Sequence, residues 1–142
     1  MSSTTARPIV LDTNVLVAAA YAPESASRRI VESGLRGDLV LTISRDLVAE
    51  YQFILRRAVR RREYQQRLQK LLRQAVLVHP TSTPRVVPGD PDDDKFLAAA
   101  VAAAAVALVT NDHHLLSLDP YQGVRVIRPA AFVELFLEDA IP

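Results

Sequence analysis

Five short apolar runs, residues 8–12, 38–43, 76–78, 105–110 and 124–127, are separated by stretches with helical patterning. The runs are apolar throughout rather than alternating, as expected of strands buried on both faces. Strands of that kind, alternating with helices, form parallel sheets covered on two sides. Residues 45–59 place Leu47, Val48, Tyr51, Ile54, Leu55 and Ala58 on one stripe, which predicts an amphipathic helix. Residues 62–74 read as a second, polar helix, and 130–138 as a short one after Pro129. Residues 91–104 are apolar nearly all round after the first turn, predicting burial on several sides. The expected fold is a three-layer α/β/α sandwich with a central parallel sheet, one domain over residues 1–142.

Composition narrows the chemistry. No apolar run reaches ~20 residues without charges, so no membrane span is expected. Met1–Arg7 lacks a basic stretch leading into an apolar one, so a cytoplasmic address is expected. With no cysteine, the chain has no disulfide, thiolate ligand or cysteine nucleophile.

Acids stand where such a sheet binds ligands, beyond the carboxyl ends of its strands. Asp12 ends the first run and Asp112 follows the run that stops at Thr110. Glu50 borders the apolar stripe of its helix. Its neighbours three and four positions away, Asp46, Leu47, Phe53 and Ile54, include no base. It is either an inward acid or an exposed glutamate in an ion pair. In "PGDPDDDKFLAAA", Asp90 before Pro91 reads as a helix cap, and capping also accounts for Asp92 and Asp93. Asp92 faces Lys95 and is expected on the solvent side. Asp94 heads a stripe continued by Leu97, Ala98 and Val101, which favours an inward carboxylate. Converging carboxylates raise one another's pKa, and a hard divalent cation such as Mg²⁺ or Mn²⁺ relieves the repulsion. The residues alone thus suggest a metal-dependent phosphodiester hydrolase.

Taken in order, "IVLDTNVLVAA", the helix glutamate, "DPDDDKFLAAA" and "LVTNDHHLL" resemble the PIN-domain family. The nearest likeness is to toxin components of toxin–antitoxin systems, the VapC-type ribonucleases, over a core of about residues 8–136. The resemblance implies Mg²⁺ or Mn²⁺ dependence and cleavage of single-stranded RNA by metal-activated water. It makes Asp12, Glu50, Asp94 and Asp112 the catalytic and metal-binding acids, with Asn14 and Thr110 orienting ligands or water. Many members carry an acid where this chain has His114, which either touches metal or phosphate or sits in a surface turn.

Eight of the 17 basic residues lie between Arg56 and Arg73. Arg56 with Arg60, and Arg57 with Arg61, are like charges at four-residue spacing, unfavourable in an isolated helix. They read either as a surface for RNA backbone or as a solvated face. With aromatics sparse, base stacking is expected to contribute little. A cognate antitoxin is an expected partner. A homodimer is expected through Val15–Tyr21 and "FVELFLEDAI", by analogy with relatives. A haloacid-dehalogenase-like phosphatase would need an acid at Asn14. A receiver domain would need a phosphoryl-accepting Asp after the third strand. The remaining rival is a non-catalytic PIN-like module that binds RNA or protein.

Overall fold

A computed structural model of the chain describes residues 6–81 and 93–138. Its strands are β1 (Arg7–Leu11), β2 (Leu39–Ile43), β3 (Val76–Leu77), β4 (Ala107–Val109) and β5 (Arg125–Ile127). They form one parallel sheet in the order β3-β2-β1-β4-β5. The helices are α1 (Thr13–Tyr21), α2 (Ala26–Arg36), α3 (Arg45–Ala58), α4 (Arg62–Gln74), α5 (Asp94–Ala103), α6 (His113–Leu116) and α7 (Pro129–Phe132). The last continues as a π-turn over Val133–Leu137. This is the expected α/β sandwich around a parallel sheet.

Strand order decides where the site lies. From β1 the chain winds outward through β2 to β3, then returns through α5 to place β4 on the other side of β1. The order therefore reverses between β1 and β4, where open parallel sheets leave a crevice at the carboxyl edge. Leu11 is in register with Val109. The ladder runs one step further, with the Asp12 N–H donating to Val109 O at 2.9 Å and the Thr110 N–H to Ile127 O at 3.0 Å. Asp12 and Thr110 are thus side by side because two short apolar strands end together.

Several elements depart from the sequence reading. Neither α1 nor α2 is predicted there. Val15, Leu16, Ala19 and Ala20 of α1 are core residues, so most of the stretch expected at a homodimer face faces inward. Ser25 caps α2, accepting from the Arg28 N–H at 3.1 Å, and Gly37 closes it with φ 91°, a left-handed turn suited to glycine. α4 is less polar than expected, because Tyr64, Leu68 and Leu71 form a buried stripe at four- and three-residue spacing. Of the segment expected as a helix over 91–104, residues 91 and 92 lie outside the described residues, as does the predicted cap at Asp90. From Phe96 to Ala100 α5 is buried, packing on β1, β2, β4 and α3. Its last turn emerges instead: Val101, expected on the buried stripe, is 36% exposed.

Candidate functional site

Asp12 is buried although it belongs to no strand or helix body. Its Oδ2 accepts from Thr110 Oγ1 at 2.7 Å and its Oδ1 from the backbone N–H of Asn14 at 3.2 Å, capping α1. Burial raises its pKa above the usual carboxylate value. The hydrogen bonds from Thr110 and Asn14 oppose this, and the charges of Asp112 and Glu50 add to it. The carboxylate is therefore held by hydroxyl and amide donors while facing other acids.

Thr110 is fully buried and serves two acids at once. Its Oγ1 donates to Asp12 and accepts from the Asp112 N–H at 3.0 Å. Asp112 in turn caps α6, accepting from the His114 N–H at 2.8 Å. Its side chain also meets that of Asp93. Burial raises the Asp112 pKa, but the Asp93 contact, the His114 N–H and the His114 ring outweigh it and leave the value lowered. His114 Nδ1 lies 3.6 Å from Asp112 Oδ1, so this histidine borders the acids.

Glu50 reaches the same edge from α3. Thr13 Oγ1 donates to one of its oxygens, and Lys95 Nζ lies 2.5 Å from the other. The sequence reading found no base on its helix, and the partner comes from α5 instead. Tyr51, fully buried beside it, donates to Leu11 O at 2.5 Å. Its pKa is strongly raised by burial and by the charges of Asp12 and Glu50. Asp94, first residue of α5, is buried as expected. Asn14 is exposed and meets Asp12 through its backbone.

Three residues escaped the sequence reading. Thr13 and Lys95 each directly follow a predicted acid, and that adjacency was the available signal. Asp93 was assigned to capping, yet it makes no side-chain cap hydrogen bond and its carboxyl contacts Asp112. Lys95 also lines a cavity of about 200 Å³ with Ser44, Arg45, Asp46 and His79.

Among the described residues, no three His, Asp or Glu side chains stand together in a position to hold a metal ion. The donor chemistry nonetheless suits a hard divalent cation: carboxylate oxygens with Asp12 raised by burial and by the charges of Asp112 and Glu50. Arg56, Arg57, Arg60 and Arg61, on α3 and the link to α4, are all exposed.

Residues 8–114 match the family model described as the PIN domain. Eight chains of solved structure match this one. One belongs to the VapBC2 complex of Rickettsia felis, bound to a DNA fragment from its promoter. It is 16% identical, with a TM-score of 0.56, and the match covers 84% of this chain and 96% of that one. No curated protein matches in sequence.

Proposed function

The chain belongs to the PIN-domain family, and on that premise we propose that it is a metal-dependent endoribonuclease cleaving single-stranded RNA. One observation carries the reading: at the switch point of the sheet, a buried Asp12 faces the charges of Asp112 and Glu50, which raise its pKa. Asp12, Asp94, Asp112 and Glu50 would hold Mg²⁺ or Mn²⁺. When bound, the ion supplies charge stabilisation at the phosphate and an activated water. Thr110 keeps Asp12 and Asp112 in fixed relation, as outer hydroxyls do for ligating carboxylates. Thr13 fixes Glu50 in the same way, and Lys95 pairs with it. Exposed Arg56, Arg57, Arg60 and Arg61 would bind the RNA backbone without reading sequence.

We further propose that the protein is the toxin of a toxin–antitoxin pair. Its fold is shared with a chain of the VapBC2 complex, which supports a cognate antitoxin partner, and a cytoplasmic setting is part of the same proposal. Among the described residues, no helix is long and apolar enough to cross a membrane. A homodimer would rest on Tyr21 and Leu135, both exposed, rather than on the buried part of α1. One observation favours the rival reading of a non-catalytic binding module: Glu50 is already engaged by Lys95 and Thr13.

Cleavage of a single-stranded RNA panel by wild type and Asp94→Asn, with Mn²⁺, Mg²⁺ or EDTA, separates the two. The nuclease reading expects cleavage that requires metal and disappears in the variant. Folded wild type that binds RNA but cuts none of it would favour the binding module.

A further inference from the structure

The core-facing residues of α3 are Leu47, Tyr51 and Leu55, at four-residue spacing. Phe53 lies off this stripe and is 57% exposed. The Arg57 guanidinium sits 4.2 Å from the centroid of its ring. Phe53 is also one helical turn beyond Glu50, and residues so spaced are neighbours on a helix surface. Exposed Arg56, Arg60 and Arg61 continue the positive charge past Arg57. Among the described residues, no acid forms an ion pair with any of these four arginines.

We propose that Phe53, with Arg57 stacked on it, is a base-stacking subsite that makes the protein select single-stranded RNA. This rests on the ribonuclease reading and adds its substrate contact. An exposed aromatic ring takes a base from a single strand by stacking, whatever the base, because every base has a π-face. In a duplex those faces are already covered by neighbouring bases, so the ring gains nothing there. Arg57 adds a positive charge beside the ring for the adjoining phosphate and a planar face of its own. The arginines alone would bind either form of RNA, and the ring is what discriminates. The sparse aromatics of the sequence therefore matter by position: Phe53 stands one turn from Glu50, in a basic surface.

The test measures binding of dye-labelled single-stranded RNA and of its duplex to the full chain in EDTA, where cleavage is off. Phe53→Leu keeps an apolar side chain and removes the π-face. Single-strand affinity should fall by roughly 5- to 100-fold, the effect of losing one stacked base. Duplex affinity should not change, and Phe53→Tyr should restore the single-strand value. Equal losses on both forms, or none on either, would overturn the subsite. Sedimentation showing that Phe53→Leu converts a wild-type dimer to monomer, with RNA binding intact, would assign the ring to a second copy instead. If wild type neither binds RNA in EDTA nor cuts it with Mn²⁺, the ribonuclease reading itself fails. A failure of the subsite alone shows only in the variant, beside an active wild type.

Discussion

At the amino ends of the strands, Arg36 lies 3.3 Å from Asp38 and Arg125 lies 3.0 Å from Asp119. At the carboxyl ends, Asp12 instead faces Asp112 and Glu50, and the Asp112 side chain meets that of Asp93. The amino end also has the larger cavity, about 630 Å³, lined by Arg7, Arg28, Arg29 and Arg36 among others. Size therefore does not locate the chemistry here. Exposed pairs such as Arg36–Asp38 contribute about 0–1 kcal/mol each, because water screens them and their side chains lose freedom. A buried acid facing acids is costly to folding, a cost that the proposed metal would relieve.

The sharpest way to break the contrast is to neutralise one acid at each end. Asp12→Asn and Asp94→Asn should each lower RNA cleavage by more than about 100-fold, beyond the usual effect of an outer-shell change. Asp38→Asn should leave it unchanged, with stability altered by less than about 0.5 kcal/mol. Equal loss from both ends would erase the distinction.

A smaller effect is expected from Thr110→Val, which keeps the shape and removes the hydroxyl between Asp12 and Asp112. Cleavage should drop about 10- to 100-fold. Chemical denaturation should show a loss of about 1–3 kcal/mol, since Asp12 Oδ2 loses its buried donor. Lys95→Met should act in the opposite sense on metal: with its ammonium gone from Glu50, calorimetry should show Mn²⁺ bound several-fold more tightly. An unchanged affinity would mean that Lys95 does not compete for the acid.

Much of this edge could be read from the chain because it depends on strand ends. Asp12, Thr110 and Asp112 were placed by the apolar runs that precede them, and the stripe of α3 placed Glu50. Contacts between distant segments leave no such trace. The Lys95–Glu50 pair joins α5 to α3, and the Asp93–Asp112 contact joins the start of α5 to the start of α6. α1 went unread because it follows β1 after one residue and is itself apolar, so strand and helix merge in the pattern. α2 hides differently: its buried face includes Ser27, Ser33 and Gly34 beside Ile30 and Val31, too few aliphatics for a clear period. At Gly34 an added Cβ would come within 2.9 Å of Leu71 Cδ1, so close packing on α4 suits the small residue.

The smallest predicted effect concerns pH, and it has opposite signs at the two ends. The Asp119 pKa is lowered by the hydrogen bond from Arg125, with burial opposing and the Val126 N–H assisting. Its contribution to stability is present above 3.8 and is lost as pH falls through the folded value. The Asp12 pKa is raised, so its contribution is present below 3.8 and is lost as pH rises through the folded value. In EDTA, Asp12→Asn should be more stable than wild type at neutral pH, and Asp119→Asn less stable. Both differences should shrink as the pH is brought to the acid side of these transitions.

The most direct measurement is isothermal titration of Mn²⁺ into wild type and into Asp12→Asn, both without RNA. The account predicts saturable binding to wild type and none to the variant. Folded wild type that takes up no Mn²⁺, or an Asp12→Asn variant that binds it equally well, would contradict the assignment of the carboxyl-end acids as a metal centre.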